Sequence, residues 1–382
     1  MPARDRRTGG GLVYLPYIYT GSGASYTPIA IARAMAQAGR PPMVFLPSAI
    51  VRPPDGVRFA AGLPMILPRV LRRGRLDALA TPRIEARLMA ELRRRGPGTT
   101  MWLWPNARPA FVRALKDAGA FLIREMINTH RGTARTILDA EATRVGCGPI
   151  HEISEASIAA ETAELALCDR IVSPSEAVDA SMAEFGVPPE KLIRSRFGWD
   201  PARLAGTTAA PRTADGVLAL FVGEISIRKG AHLALSAWER AGLPGEFRLV
   251  GKVHPAMAEL VARHVATGRV SHVPFTPDVA AQYRAADFLF FPTLEEGAPL
   301  VCYEAAGCGL PILTGPMGRA RVVEDGKTGL IVDPHDEDAL VAALRRLGGD
   351  PGMRAAMGKA AALGAAASRW EEAALERLAA IA

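Results

Sequence analysis

The sequence predicts an α/β protein built from two doubly wound units, each a parallel sheet covered by helices on both faces. Three observations predict it. Short apolar runs alternate with helix-like stretches along the whole chain, the pattern of parallel strands buried on both sides. The length of 382 residues suits two domains. One stretch rich in Pro, Ala, Gly and Thr and free of periodicity, PARLAGTTAAPRTADG (201–216), divides the runs into two groups and reads as a linker.

The first group, within a domain spanning 1–200, comprises LVYLPY (12–17), MVFLPS (43–48), TMWLWP (100–105), AFLIREMI (120–127) and RIVSPS (170–175). The second, within 217–382, comprises LALFVG (218–223), FRLVGKV (247–253), VSHVPF (270–275), FLFFPT (288–293), PILTG (311–315) and GLIVD (329–333). The Ala-rich tail from about Asp350 is helical in pattern and is expected to cross back onto the first domain. Two such units joined by one linker leave a cleft, and ligands of open α/β sheets bind at the carboxyl ends of strands.

Composition bounds the function. The chain is 49% hydrophobic and 22% charged, ordinary for a soluble globular protein. It contains no run of eighteen apolar residues, and MPARDRRTGGGLVYLPYIY lacks the apolar core and cleavage site of a signal peptide. A cytoplasmic protein is therefore expected. Cys147, Cys168, Cys302 and Cys308 show no metal-ligand spacing, and no HExxH occurs, so no metal site is expected. The net charge of +7 is concentrated: nine arginines (69, 72, 73, 75, 83, 87, 93, 94 and 95) face only Asp77, Glu85 and Glu91. Leu71, Leu76, Leu79, Ile84, Leu88 and Leu92 recur there at loosely helical spacing. This basic amphipathic segment is either a solvated arginine face or a peripheral contact with anionic membrane. Nucleic acid is not expected, because no aromatic platform accompanies the charge.

The segment with the most chemistry is EEGAPLVCYEAAGCG (295–309). It follows the buried strand FLFFPT and so lies at a strand's carboxyl end. Pro299 suits a first helical turn, and a helix from about Ala298 to Ala306 is expected, ended by Gly307 or Gly309. The amides of Gly297, Ala298 and Leu300 would then point into the cleft as an anion site. Glu296 and Glu304 flank that site, an arrangement suited to a ligand with phosphates in the middle and hydroxyls at both ends, such as a sugar nucleotide. On spacing alone, a helix-start acid and a surface acid explain the pair equally well.

The passage EGAPLVCYEAAGCGLPIL resembles the E-x7-E signature of retaining glycosyltransferases of the GT-B fold, those grouped as family four, through Glu296, Gly297, Pro299, Leu300, Glu304, Ala305, Gly309 and Pro311. FVGEISIRKGAHLALSAW (221–238) resembles the segment whose Arg and Lys grip the donor diphosphate in that family. Lys229 matches the Lys, while Glu224 stands where the Arg is expected and Arg228 is an adjacent cation. LALCDRIVSPSEAVDASMAEFGVPPEKLIRSRFGWDP (165–201) and DGKTGLIVDPHDEDAL (325–340) resemble further landmarks, so the likeness extends from about 120 to 360 and is weak over 50–110.

The resemblance implies two Rossmann-like domains facing across a cleft, the first on the acceptor side and the second binding the nucleotide sugar. It implies a retaining, metal-independent hexosyltransferase with a UDP- or GDP-sugar as donor substrate, no cofactor, an acceptor that is either lipid-linked or soluble, and a place in cell-surface polysaccharide or glycolipid synthesis. Glu296, Lys229 and His130 are the implied catalytic residues. Gly21, Ser22, Gly23, Arg228, Lys229, Phe275, Glu296, Gly297, Ala298, Pro299, Leu300 and Glu304 are the implied donor-binding residues. Gly21 to Gly23 belong to GSGASY, a strand-to-helix turn; His130 follows AFLIREMI and would face the transferred sugar, with Arg131 and Arg135 nearby. The acids of DPHDED (333–338) precede an amphipathic pattern and read as helix-start residues rather than metal ligands. Glu224 favours one alternative, a catalytically impaired sugar-nucleotide-binding protein. A nicotinamide-dependent oxidoreductase is disfavoured, since no GxGxxG follows a strand.

Overall fold

A computed structural model of the chain describes residues 10–64, 73–206 and 208–381, with the side chains of 73–78 left aside. The strands are β1 (Leu12–Tyr14), β2 (Met43–Leu46), β3 (Arg58–Ala61), β4 (Thr100–Leu103), β5 (Phe121–Glu125), β6 (Arg170–Ser173), β7 (Leu192–Arg194), β8 (Val217–Val222), β9 (Gly245–Val250), β10 (Val270–Val273), β11 (Phe288–Phe291), β12 (Ile312–Thr314) and β13 (Gly329–Ile331). They form a seven-stranded sheet of order β3-β2-β1-β4-β5-β6-β7 and a six-stranded sheet of order β10-β9-β8-β11-β12-β13. Every pairing between these strands is parallel.

The two strands at the second sheet's switch point, β8 (VLALFV) and β11 (FLFF), are apolar throughout because helices cover both faces. β8 and β11 are buried at every residue. Each sheet reverses its strand order once, at β1/β4 and at β8/β11, and open α/β sheets bind ligands outside such switch points.

The stretch expected to be a linker is more ordered than its composition suggests. It opens with a short helix, Pro201–Leu204, capped by the Asp200 carboxylate on the Ala202 N–H at 2.9 Å. Its later part docks on the second sheet's lobe, where Arg212 donates to Asp287 at 3.0 Å and Arg248 donates to the Pro211 carbonyl at 2.8 Å. The C-terminal helix Trp370–Ala379 packs on the first lobe's helix Tyr26–Gln37. There the fully buried Arg377 donates through Nε and Nη2 to both oxygens of the equally buried Glu125, at 2.8 and 3.1 Å.

The arginine-rich segment forms the helix Arg73–Arg95. Its apolar stripe, Ile84, Leu88 and Leu92, is buried in the first lobe's core, while Arg94 and Arg95 pair with Glu91 on the same helix. Glu85 is buried too, and accepts from the Tyr14 hydroxyl and from Arg108. Arg69, Leu71 and Arg72 lie outside the described residues, as do the side chains of Arg73, Arg75, Leu76 and Asp77. No helix among the described residues is long and apolar enough to cross a membrane.

Candidate functional site

The loops at the carboxyl ends of both sheets meet around a cavity of about 390 Å³. The first lobe contributes the segments after β4 (Asn106) and β5 (Met126 to Arg131). The second contributes those after β8 (Glu224 to Arg228), β9 (His254) and β11 (Glu295). This is where the topology places a ligand.

The two segments singled out in the sequence touch each other here. Lys229, at the end of the β8 loop, donates from Nζ to Oε1 of Glu296, at the end of β11. Both side chains are largely shielded from solvent. Burial, with Arg228 alongside, pushes the Lys229 ammonium well below the ordinary lysine range. Neither residue lines the cavity; of the sequence-predicted donor set only Arg228 does.

Arg228 is not a free cation. Its Nε donates to Glu295 Oε2 at 2.8 Å and its Nη2 to Asn128 Oδ1, in the first lobe, at 3.3 Å. A guanidinium carries five N–H donors, so capacity toward a ligand remains. Glu224 is exposed on the same wall and supplies negative charge where the resemblance anticipated a cation.

The helix after β11 runs Leu300–Gly307, two residues later than expected. Pro299 is its N-cap, with ψ of 121°, so it ends the extended segment instead of starting the helix. Among the described residues no hydrogen bond reaches the backbone N–H of Gly297, Ala298 or Leu300, which leaves those donors available. Gly309 follows the helix with φ of +76°. Glu304 accepts from the buried Tyr283 hydroxyl at 2.9 Å. Burial raises its carboxyl, while Tyr283 and the nearby Arg203 hold the rise in check.

The remaining predicted residues are dispersed. Gly21, Ser22 and Gly23 form a turn before the helix Tyr26–Gln37, half-buried at Gly21 and exposed at Ser22 and Gly23, pinned by Ser25 Oγ donating to the Ser22 carbonyl at 2.9 Å. Phe275, in the loop after β10, is 80% exposed and outside the cavity wall. His130 does not face the cavity. Its ring is fully buried and stacked on Phe185 with centroids 3.8 Å apart. Nδ1 accepts from the Gly132 N–H at 3.1 Å and caps the helix Arg131–Val145. Nε2 lies 3.1 Å from Thr162 Oγ1, which itself donates to the Ile158 carbonyl, so the network assigns the proton to Nε2. Burial, reinforced by Arg131, lowers its pKa to about 4. Arg131 lines the cavity and donates to Asn106 Oδ1 at 2.8 Å, whereas Arg135 pairs outward with Glu155 at 2.6 Å. Asp336 of DPHDED caps the helix Glu337–Gly349 through the Ala339 N–H at 2.9 Å.

Sequence reasoning passed over Glu295. This carboxylate is 2% exposed and reaches across the cleft, accepting from Thr129 Oγ1 at 2.8 Å and from the Thr129 N–H at 3.3 Å.

Comparison with known proteins adds the following. Residues 216–350 match the family of glycosyl transferases group 1. The chain is 31% identical over 239 residues to the D-inositol 3-phosphate glycosyltransferase of Kineococcus radiotolerans, covering 53% of this chain and 54% of that protein. It is 34% identical over 220 residues to the protein of the same name from Kribbella flavida, covering 51% and 52%. The matches thus span about half the length of these curated relatives. Among solved structures, the fold is similar to sucrose-phosphate synthase from Thermosynechococcus elongatus, with a TM-score of 0.71 at 20% identity over 96% of this chain and 97% of that one. It is also similar to Anabaena HepE in complex with UDP-glucose, with a TM-score of 0.63 at 14% identity over 97% and 99%. At these identities the likeness is one of fold, and that fold is GT-B.

Proposed function

We propose that this chain, whose residues 216–350 match the group 1 glycosyl transferases and whose two facing sheets form a GT-B fold, moves a hexosyl unit from a nucleotide-diphosphate sugar to an acceptor hydroxyl with retention. The observation that carries the reading is the Lys229–Glu296 ion pair, which joins the family's two donor-binding segments at the ends of β8 and β11. The UDP-glucose bound by the structural neighbour HepE supports a nucleotide sugar as donor.

In this reading the donor exchanges partners with the ion pair. The diphosphate takes Lys229, with Arg228 and the unbonded amides of Gly297, Ala298 and Leu300 as further donors. Glu296, released, accepts from hydroxyls of the transferred sugar and lies close to the carbon where positive charge develops. Glu304 is assigned to the nucleotide ribose. As the glycosidic bond breaks, negative charge grows on the leaving phosphate, and the preorganised cations and amides stabilise it without calling on a metal. The departing phosphate takes the acceptor's proton on the same face. The acceptor enters along the first-lobe wall, past Asn106, Asn128 and Arg131. Excluding water from the closed cleft prevents waste of the donor by hydrolysis. A peripheral contact of the basic helix with the cytoplasmic face of an anionic membrane is part of the same proposal, as is a cell-surface glycan or glycolipid as product class.

One observation favours a second reading. Glu224 on the cavity wall weakens the attraction for a diphosphate, as it would in a protein that binds sugar nucleotides without transferring the sugar. Thermal stability against UDP, GDP, ADP, their sugars and NAD separates the possibilities. A ligand at a hundred times its dissociation constant adds about 2.7 kcal/mol. Selective stabilisation by one nucleoside diphosphate, followed by transfer from its sugar, supports the transferase; binding without transfer to any acceptor supports the second reading; no response to any diphosphate refutes both.

A further inference from the structure

The cleft carries two adjacent acids with different surroundings. Glu296 faces Lys229 within the second lobe, whereas Glu295 faces the first lobe. Both oxygens of Glu295 are occupied: Oε1 by the hydroxyl and N–H of Thr129, and Oε2 by Arg228 Nε. Arg228 in turn donates to Asn128, the residue before Thr129. Next along the chain, Gly297 sits so close to the first lobe that a Cβ there would lie 2.2 Å from the Ile127 carbonyl oxygen and 2.7 Å from the Asn128 nitrogen. Residues 127–129 of the first lobe are thereby held against Glu295, Gly297 and Arg228 of the second.

From this we infer that Glu295 is a positioning residue that closes the two lobes over the cleft. A carboxylate at 2% exposure is tolerated only with its hydrogen bonds made. Parting the lobes strips Glu295 of both bonds from Thr129 and strips Arg228 of Asn128, so closure is favoured by the charge-assisted bonds it completes. Further cross-cleft ties are polar as well: Glu141 accepts from His232 and His335 at 2.7 Å each, and Arg321 donates to Asp179 at 2.7 Å. Lobes joined by polar contacts of this kind move relative to one another. Glu295 differs from the other ties in acting on the loop that lines the cavity and on Arg228 together, so it couples closure to the placement of a cation at the donor site.

The inference rests on the transferase reading only for its kinetic half, and a distance measurement tests the rest without activity. Labels are attached at the exposed native Cys147 in the first lobe and at a cysteine replacing the exposed Glu259 in the second, with Cys308 changed to Ser. Electron–electron resonance then gives the inter-lobe distance distribution for the parent protein, Glu295→Gln, Glu295→Ala, Thr129→Val and Thr129→Ser. The expected result is a shift of at least tenfold from the closed toward a longer-distance population in Glu295→Ala and Thr129→Val, a partial shift in Glu295→Gln, and the parent distribution in Thr129→Ser, which keeps the hydroxyl. Gly297→Ala should open the lobes by sterics alone. On a confirmed donor, kcat should fall with the closed fraction while the KM for donor changes less. Unchanged distances in both Thr129→Val and Glu295→Gln overturn the inference, including when activity is lost, since Glu295 would then act on the chemistry directly. Altered distances in a protein that transfers no sugar sustain the inference and overturn the transferase reading instead.

Discussion

Replacing His130 by Asn separates the capping role seen in the structure from the sugar-facing role the sequence resemblance implies. Asn is a good N-cap and can replace Nδ1 as acceptor for the Gly132 N–H, but it does not titrate. In the folded protein burial holds the imidazole neutral down to about pH 4, whereas in the unfolded chain it protonates near 6.5. The folded pKa is depressed, so the unfolded state binds the extra proton first. The stability this residue contributes is fully present above about pH 6.5 and is lost as pH falls toward 4. With about 1.4 kcal/mol per decade, the wild-type protein should lose about 2.5 kcal/mol relative to His130→Asn between pH 7.5 and pH 4.5. Urea unfolding of both proteins at the two pH values measures it, and the other histidines, common to both, cancel. Parallel pH profiles would refute the buried, neutral cap. The same variant should keep turnover within about tenfold of wild type; a loss of 10²-fold or more, in the range of a lost acid–base group, would return His130 to the reacting centre.

Other consequences are as direct. Lys229→Ala and Glu296→Ala should each lower turnover by about 10²-fold, as expected for a lost charge-stabilising group; steady-state rates on a confirmed donor check this. Glu296→Gln should lower turnover too, yet tighten binding of the nucleoside diphosphate by about tenfold, because Lys229 is freed from its partner; titration calorimetry with the diphosphate reads the opposite signs. Glu224→Arg should also tighten diphosphate binding, by about tenfold or more, and the gain should shrink as salt is raised. Arg377→Ala leaves the Glu125 carboxylate buried without its partner and should cost about 3–5 kcal/mol in chemical unfolding of the first lobe.

The fold was legible where burial is two-sided. Runs such as LALFVG and FLFFPT became β8 and β11, because a strand covered on both faces favours apolar residues at successive positions. The two strands with no such signal are β3 (RFAA) and β7 (LIR), and they are the two edges of the first sheet. An edge strand has one neighbour and exposed side chains, so nothing forces an apolar run on it. The helix of EEGAPLVCYEAAGCG starts two residues later than its sequence suggests because Pro299 fits a helix cap as well as a first turn, and only ψ distinguishes them. At the site, the residue types were readable and their pairing was not. Glu295 and Thr129 are 166 positions apart, and nothing local to either marks the other as its partner. His130 illustrates the converse: a motif position gave it a role that its fully buried ring, its stacking on Phe185 and its cap do not share.

The charges at the end of the cleft account for the one departure from the donor-site pattern that the sequence displayed. Two cations, Arg228 and Lys229, stand against three acids, Glu224, Glu295 and Glu296. Without a ligand these acids offset the two cations. Glu295 is committed to the first lobe and to Arg228, and Glu296 neutralises Lys229, so only a ligand that offers hydroxyls to Glu296 while offering phosphate to Lys229 can satisfy both ends of the ion pair it breaks. Free phosphate can satisfy one end and a free sugar the other; a sugar nucleotide does both. In the proposed transferase reading, Glu224, in place of an Arg, strengthens that discrimination by disfavouring anions that bring no compensating hydroxyl contacts, and its cost in affinity would be met by the bonds Glu296 makes to the sugar.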